Sequence, residues 1–230
     1  MDKADLIFTN AKILTMNEAF DFFYPGALAI SGDSIMAVGP QKDILGNFSA
    51  NELFDCEEKI LMPGLINAHT HVPMTLLRGL ADDLRLDVWL MGYMMPVERE
   101  FVSPEFVRLG TKLACAECIL GGVTTFNDMY YFESDVAEAT ADAGLRAICS
   151  QSILKFPTPD ATYYEEALEY AEAFIQKWKD HPLIVPAIAP HAVYTCTDKI
   201  WQSCKGLAID YDIPLHTHIA ETESEVEDLR

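Results

Sequence analysis

Residues 59–71, KILMPGLINAHTH, decide the fold and locate the chemistry of this chain. An apolar run interrupted by Pro63-Gly64 predicts a strand, and His69-Thr-His71 lies at its carboxyl end. Side chains alternate along a strand, so residues at i and i+2 face the same way. Both imidazoles are therefore predicted to converge at the end of a strand.

Downstream of this stretch, strand and helix patterns alternate. Ser103-Pro-Glu105 is typical of a helix start, because an oxygen cap precedes a proline at the first helical position and an acid in the first turn. The repeated alternation predicts βαβ units and a parallel sheet. Residues 72–102 form a long insertion after the first strand, where barrel enzymes build the rim of their active sites. The later strands are predicted at 123–126, 145–150, 183–189 and 213–219.

The first 59 residues follow a different pattern. Gly32-Asp33 lies between two apolar runs and predicts a tight hairpin turn. Short strands joined by polar turns indicate a small antiparallel β unit, so we predict a domain boundary between residues 59 and 60. The apolar runs are at 6–9, 12–16, 27–30 and 34–38.

Composition limits the class of protein. Half of the 230 residues are apolar, so the chain can bury a core, and 16 Lys+Arg against 36 Asp+Glu give a formal net charge of −20. A surface this acidic repels phosphate backbones, which argues against a nucleic-acid partner. No apolar run is long enough to span a membrane, and residues 1–16 lack the layout of a signal peptide. We therefore expect a cytoplasmic protein with no membrane partner.

The histidines form two clusters that indicate a metal site. His216-Thr-His218 also ends a predicted strand and repeats the i, i+2 spacing. His218 lies at the height expected of a third ligand beside His69 and His71, whereas His216 lies deeper and is interpreted as a hydrogen-bonded interior histidine. Converging neutral imidazoles suit Zn²⁺ or a similar divalent ion. The alternative is that the first pair consists of two unrelated polar residues in a loop.

Two further residues at strand ends are candidates to act beside that metal. Glu221 follows His218 by three residues, where a carboxyl group shielded from bulk water can shuttle protons. Alternatively, Glu221 is only an acid at a helix start, because Thr222-Glu-Ser-Glu225 is a capping box. His191 follows Pro190 at the end of the fourth predicted strand, a position that suits either a substrate contact or a structural hydrogen bond.

These motifs, in this order along the chain, resemble the amidohydrolase superfamily. Within it, the resemblance is nearest to the 5-methylthioadenosine/S-adenosylhomocysteine deaminases, next to the atrazine chlorohydrolase group. It spans nearly the whole chain, and segment 74–83 is specific for this subgroup. The matching segments are MPGLINAHTH (62–71), MTLLRGLADD (74–83), GVTTFNDMY (122–130), PHA (190–192) and HIAET (218–222).

The resemblance implies a metal centre and a proton-transfer residue. His69, His71 and His218 match metal ligands of the family. Glu221 matches the carboxylate that protonates the purine ring nitrogen while water attacks the carbon bearing the amine. One divalent ion per site is implied, zinc first and iron as the alternative.

The resemblance also implies a substrate pocket. Glu98 matches an acid that binds ribose hydroxyls, and a carboxylate can accept two hydroxyl hydrogen bonds at once. Trp89 matches an aromatic pocket wall, and His191 a histidine that contacts substrate. The sequence leaves a second interpretation of Glu98 open, because Arg99 follows it and a surface ion pair would show the same pattern.

The implied fold is α/β, a (β/α)8 TIM barrel with a small N-terminal β-sandwich domain. Residues 1–59 would form part of the sandwich, and 60–230 the first five βα units of the barrel. The implied activity is metal-dependent hydrolytic deamination of an aminopurine nucleoside such as 5-methylthioadenosine, S-adenosylhomocysteine or adenosine, in a monomer or homo-oligomer. The alternatives are a triazine chlorohydrolase or aminohydrolase, a guanine-type deaminase, or an inactive partial chain.

Two departures from the family pattern carry expectations of their own. Where members that take S-adenosylhomocysteine have arginines for its carboxylate, this chain has Gln151 and Tyr163, which favours a substrate with a neutral tail. The family's sixth-strand histidine and eighth-strand aspartate have no match before Arg230. A complete barrel needs roughly 250 residues, so we expect a chain truncated at its carboxyl end.

Overall fold

The computed structural model describes residues 1–228, so the last two positions of the predicted barrel segment, Leu229 and Arg230, lie outside the described residues. The chain divides into two compact units, Met1–Gly64 and the remainder from Leu65 onward. The assignment of 1–59 to a sandwich and 60–230 to a barrel stays a prediction. None of the helices within 1–228 has the length and apolar character needed to cross a membrane.

The N-terminal unit contains one mixed sheet with strand order β3-β2-β1-β4, in which β5 also pairs with β1. Strand β1 pairs antiparallel with β2 but parallel with β4 and β5, so the prediction of a purely antiparallel unit was wrong. The reason is helix α1, which carries the chain across so that β4 runs alongside β1 in the same direction. The elements are β1 Asp2–Leu14, β2 Phe22–Ser31, β3 Ser34–Pro40, α1 Gln41–Asn47, β4 Phe48–Asp55 and β5 Ile60–Leu61.

Two local features of this sheet test the sequence patterns directly. The Gly32-Asp33 hairpin is confirmed, because Ser31 pairs with Ser34 around it and Gly32 has φ +57°. The runs predicted at 6–9 and 12–16 instead form one strand. Asn10, at φ 53°, lies at a register irregularity, so the strand absorbs it as a bulge rather than turning there.

The second unit is built on a parallel sheet with strand order β6-β7-β8-β9. Helices follow these strands, which confirms the predicted mixed α/β alternation. A 3-10 turn at Val72–Leu77 and a π-helical turn at Val88–Met94 lie within the 72–102 insertion. The other elements are β6 Leu65–Thr70, α2 Met95–Phe101, α3 Pro104–Leu120, β7 Val123–Tyr130, α4 Glu133–Ala143, β8 Arg146–Ile153, α5 Tyr164–Trp178, β9 Ile184–Pro190, α6 Asp198–Tyr211 and α7 Glu223–Asp228.

Helix α3 begins where the sequence predicts. The Ser103 hydroxyl accepts a hydrogen bond from the Phe106 N–H at 3.2 Å, and Gly121 closes the last turn. The core between this sheet and its helices is apolar and fully enclosed around Phe126, Val136 and Ile175. This packing fixes the strand ends on which the histidines lie.

The fifth predicted strand, 213–219, is only partly formed. It joins β9 and the segment after it through single bridges at Leu215 and His218. The His216 N–H donates to the Ile188 carbonyl at 3.0 Å, but Pro214 has no N–H to continue the ladder. The second unit therefore shows a four-stranded parallel sheet with an extended fifth segment at its edge, and closure into a barrel stays a prediction.

Candidate active site

Three histidines converge at the carboxyl end of the sheet. His69 lies at the end of β6, His71 just beyond it, and His218 on the extended segment beside β9. Each offers one ring nitrogen, and these three atoms all lie within 4.8 Å of one another. The His69 and His71 ring centroids are 4.9 Å apart, so both rings face the same side, as the strand alternation predicts.

Backbone carbonyls determine which nitrogen of two rings is free. His71 Nδ1 contacts the Met129 carbonyl, and His218 Nδ1 lies 3.0 Å from the His191 carbonyl. A carbonyl only accepts hydrogen bonds, so both Nδ1 atoms carry the proton and both Nε2 atoms keep a lone pair. Such orientation by a second partner is typical of histidines that bind metals.

A third ring is oriented by another histidine. His69 Nδ1 lies 3.1 Å from His216 Nε2, and His216 Nδ1 lies 3.2 Å from the Ser150 hydroxyl. His216 is therefore the hydrogen-bonded interior histidine that the sequence predicts. His69 Nε2 faces His218 Nε2 at 3.2 Å. When the His69 Nδ1–H donates a hydrogen bond to His216 Nε2, both Nε2 atoms keep a lone pair that could bind a cation between them.

Burial favours the neutral form of His69, His71 and His216. Removal from water lowers the pKa of His71 to about 4 and that of His216 to about 4. The same cause, followed by the charge of His218, lowers the pKa of His69. Neutral imidazoles are the form that coordinates Zn²⁺, so the donor set fits a divalent ion at neutral pH.

A cavity that is open to solvent adjoins the three rings. His71 and His218 contribute to its wall. The predicted substrate residues Trp89, Glu98 and His191 line it as well, together with Glu221. The structure thus brings these six residues to the cavity and His69 to the histidine cluster beside it.

Sequence reasoning missed several lining residues. Four of them, Tyr130, Tyr131, Tyr194 and Ser152, carry polar groups. Their positions at or just after strand ends were the available signal, since Tyr130 ends β7 and Ser152 lies near the end of β8. The remaining wall is apolar and comprises Met74, Leu86, Leu90, Met94 and Met129.

Glu98 is a buried acid in the cavity wall. Its side chain is only 5% exposed, so the interpretation as a surface ion-pair member was wrong. Helix α2 positions it, and the Tyr130 hydroxyl donates to its Oε1 at 2.8 Å. Burial raises the pKa of Glu98 to about 7, and the hydrogen bond from Tyr130 opposes that rise only in part.

This acid predicts a pH-dependent stability. The folded-state pKa of about 7 lies above the ordinary value of 4.5, so the free energy of unfolding falls as pH rises through that window and stays lower above it. Glu98→Gln, which mimics the protonated acid, is expected to raise stability at pH 8 by up to about 3 kcal/mol and to change it little at pH 4.5. Thermal unfolding at both pH values checks this, with exposed Glu100→Gln as the control. Equal effects of Glu98→Gln at the two pH values would contradict it.

Glu221 follows His218 and faces the same cavity. The Tyr194 hydroxyl donates to its Oε2 at 3.0 Å. The predicted capping box is present in altered form: Thr222 Oγ1 accepts from the Glu225 N–H at 3.2 Å, and the Glu225 carboxylate accepts from the Ala220 and Glu221 N–H groups. Glu221 therefore lies at a helix start and in the cavity wall at once. Its side chain is exposed, so the expected shielding from bulk water was wrong for the residues that the structure describes.

His191 likewise combines both of its predicted roles. Its Nδ1 lies 2.9 Å from the Thr195 hydroxyl, and its carbonyl accepts from the His218 N–H. Its ring lines the cavity, where burial lowers the pKa to about 3. A neutral ring with Nδ1 already engaged leaves Nε2 for another partner.

Comparison with known proteins identifies the family. A sequence profile of the amidohydrolase family matches residues 60–230. The chain belongs to the amidohydrolase family. The 5-methylthioadenosine/S-adenosylhomocysteine deaminase of Syntrophobacter fumaroxidans is 44% identical over 98% of this chain and 51% of its own length. The chain thus spans about half the length of the curated relatives it matches.

Solved structures agree with this assignment. An adenosine deaminase from Xanthomonas campestris with bound zinc is 40% identical, with a TM-score of 0.95 over 99% of this chain and 52% of that one. An atrazine chlorohydrolase from Arthrobacter aurescens complexed with zinc is 20% identical, with a TM-score of 0.82 over 97% of this chain and 55% of that one, a likeness of fold alone. Members of the family bind a divalent metal, and the three histidines of this amidohydrolase fit one.

One expected substrate position of this amidohydrolase lies elsewhere. Gln151 is fully buried, and its amide donates to Asp160 at 2.8 Å while its oxygen accepts from the Glu133 N–H. It therefore points away from the cavity, which its neighbour Ser152 lines instead. Tyr163, the other expected position, is 66% exposed at the start of α5.

Proposed function

We propose that the protein is a metal-dependent deaminase of aminopurine nucleosides, with its site in this cavity and its sheet part of a (β/α)8 barrel. One observation carries the proposal: three histidine nitrogens within 4.8 Å of one another adjoin a cavity that presents one buried and one exposed carboxyl group. The relatives named above as 5-methylthioadenosine/S-adenosylhomocysteine or adenosine deaminases support the same activity.

The histidines have the first role in this proposal. His69, His71 and His218 would hold one divalent ion, zinc in the first instance. Such an ion supplies a water whose pKa is lowered enough to act as a nucleophile at neutral pH. Hydrogen bonds to Met129, His191 and His216 keep the three rings in place. The positions of the ring nitrogens therefore do not depend on the ion alone.

Glu98 and Trp89 would bind the nucleoside. Tyr130 already occupies Oε1 of Glu98, which leaves Oε2 for the ribose hydroxyls. Its burial makes such hydrogen bonds stronger than they would be in water, because competing water is excluded. Trp89, half-buried at the cavity wall, offers an apolar face to a purine ring.

Glu221 would move the proton. It takes a proton from the attacking water and delivers it to the purine ring nitrogen next to the carbon under attack. The new C–O bond forms as that carbon becomes tetrahedral. The C–N bond then breaks as the remaining proton of the new hydroxyl group passes to the departing amine, which leaves as ammonia. Water and the aminopurine thus give the oxopurine and ammonia, and Tyr194 holds Glu221 toward the cavity throughout.

The lining predicts a preference between substrates. No lysine or arginine within residues 1–228 lines the cavity, so the amino-acid carboxylate of S-adenosylhomocysteine meets no cation there. We expect the zinc-loaded chain to release ammonia from 5-methylthioadenosine with a kcat/KM at least about tenfold above that for S-adenosylhomocysteine, the worth of one charge-assisted hydrogen bond. Coupled ammonia detection with adenosine as a third substrate measures this.

The same assay decides the proposal. Equal kcat/KM values for the two substrates would contradict the neutral-tail preference and leave deamination standing. Ammonia or chloride release from a triazine, without turnover of any nucleoside, would favour the triazine hydrolase alternative. A folded, zinc-loaded chain that releases ammonia from none of the substrates would contradict deamination by this chain itself and favour the partial-chain alternative.

A further inference from the structure

Two buried carboxyl groups lie outside the cavity, close to the strand end that carries His69 and His71. Asp128, on β7, and Glu133, the first residue of α4, are both fully buried, and neither lines the cavity. Each carboxyl group lies close enough to the other to exchange a hydrogen bond when one of them is protonated. Across residues 1–228, no N–H or O–H group donates a well-formed hydrogen bond to Asp128 Oδ2 or to either Glu133 oxygen. Two ionised carboxylates side by side in a site without water are strongly disfavoured, which favours one proton shared by the pair.

The surroundings place that proton on Glu133. Burial raises the pKa of both acids, because neither charge is solvated. The Val72 N–H stabilises the charge of Asp128, whereas the nearby Asp128 charge raises the pKa of Glu133 further. The Val72 N–H, 2.7 Å from Asp128 Oδ1, favours the ionised form of Asp128, so Asp128 is the expected acceptor of the pair and Glu133 its expected donor.

Asp128 is connected to the histidine cluster through the backbone. Its Oδ1 accepts from the N–H of Val72, the residue after His71, at 2.7 Å. In the register of β6 and β7, Asp128 pairs with Thr70, which lies between the two histidines. The carbonyl of the next residue, Met129, accepts from the His71 ring. Residues 128 and 129 thus hold both the backbone and the side chain around His71.

The chain turns after His71, at Val72-Pro73, and the side of this turn away from Asp128 is held by close packing against α3. Pro73 lies against Gly110 of α3 so closely that a Cβ at Gly110 would come within 2.4 Å of the Pro73 carbonyl oxygen. Val72 is itself 3% exposed, so its N–H has no water to replace Asp128. The turn after His71 is therefore held between α3 and the Asp128 carboxylate.

We propose that Asp128 and Glu133 are positioning residues of the candidate metal centre: Glu133 holds the Asp128 carboxylate by a shared proton, and Asp128 fixes the Val72 amide and with it His71. The inference rests on the proposed metal centre and adds two residues that touch neither ion nor substrate. A role in folding alone would stabilise the chain without changing the affinity for metal.

Five variants of the chain test this. Glu133→Ala removes the only carboxyl group proposed to donate to Asp128 Oδ2, and Glu133→Met does the same while keeping the buried volume, should the alanine variant not fold. Glu133→Gln supplies an amide N–H in place of the carboxyl proton, and Asp128→Asn keeps an acceptor for Val72. Thr140→Val is the control, because it removes a buried hydroxyl of α4 that donates within its own helix to Val136.

Two readouts separate positioning from stability. Zinc affinity is measured at pH 7 by competition with a chelating dye, and exchange of the Val72 amide by NMR. Glu133→Ala or Glu133→Met is expected to lower zinc affinity by about 10–100-fold and to speed Val72 exchange by about tenfold or more. Glu133→Gln and Asp128→Asn are expected to stay within about threefold of the unmodified chain in both. Thr140→Val is expected to lower the melting temperature and leave both readouts unchanged.

The inference is overturned if a folded Glu133→Ala or Glu133→Met variant keeps both zinc affinity and Val72 protection. It is also overturned if Glu133→Gln loses as much zinc affinity and Val72 protection as Glu133→Ala or Glu133→Met does. The shared proton would then not explain the effect. An unmodified chain that binds no zinc would contradict the proposed function at its metal centre. In that case Val72 exchange across the same variants still decides whether the pair fixes this turn.

Discussion

Replacing Glu221 by glutamine is expected to lower the turnover of 5-methylthioadenosine by about 10²–10⁴-fold, the range that positioned proton transfer contributes. A glutamine amide cannot take a proton from water and return it to a ring nitrogen. It keeps an oxygen that can accept from the Tyr194 hydroxyl, so the side chain should stay where Glu221 lies. The loss should therefore fall on kcat, with KM and zinc affinity nearly unchanged.

The matched control for that variant is Glu227→Gln. Glu227 is an exposed acid on α7, the helix that follows Glu221, and the substitution changes net charge by the same amount. We expect it to leave kcat and KM unchanged. Steady-state kinetics and zinc content, measured on both variants, check the prediction. A Glu221→Gln variant that keeps more than about a tenth of the turnover would contradict proton transfer by Glu221.

The sequence predicts those parts of the site that depend on local rules. His69 and His71 converge because they are two residues apart on one strand, and the same rule predicts that His218 and His216 share a side at different depths. The position of Glu221 at a strand end predicted that its carboxyl group lies beside the histidines, in the cavity wall. None of these inferences needed to know which strands are neighbours.

The missed residues depend on pairing and register instead. Tyr130 reaches Glu98 across thirty-two positions of sequence, and Ser150 contacts His216 from a different strand. Gln151 and Ser152 differ by one position on β8, so they face opposite sides, and one of them lines the cavity while the other is enclosed. A shift of one residue reverses such an assignment, and sequence spacing alone does not fix it.

The fold shows the same division between local and distant causes. The hairpin at Gly32-Asp33 and the cap at Ser103 follow from turn and capping chemistry, and both are present. The parallel pairing of β4 with β1 depends on where α1 returns the chain, which no local pattern encodes. Pro214 was visible in the sequence, but its effect on 213–219 depends on whether its missing N–H faces a neighbouring strand.

The metal centre gives the second large prediction. His71→Ala is expected to lower zinc affinity by more than about 100-fold, the upper end of the loss that a ligand's hydrogen-bond partner causes, because a coordinating nitrogen is itself removed. Two contacts hold His71, one of the proposed ligands: the Met129 carbonyl accepts from its ring, and the Asp128 carboxylate accepts from the N–H of the residue that follows it. A neutral ring that is already held in place binds zinc without first losing a proton or its freedom of motion. Its removal is therefore expected to lower zinc affinity by more than the loss of one flexible contact would.

Three histidine variants together give this prediction a graded form. His216→Ala leaves all three ligands but removes the partner of His69 Nδ1, so we expect an affinity loss of about 10–100-fold. His181→Ala removes a histidine that packs on Trp178, apart from the cluster, and should leave zinc affinity unchanged. Chelator competition and metal analysis of the purified chains measure all three. The assignment of ligands is contradicted if His71→Ala binds zinc as well as His181→Ala, or if His216→Ala loses more affinity than His71→Ala. The ordering of the three losses matters more than any single value, because a general loss of folding would not sort the variants by their distance from the ion.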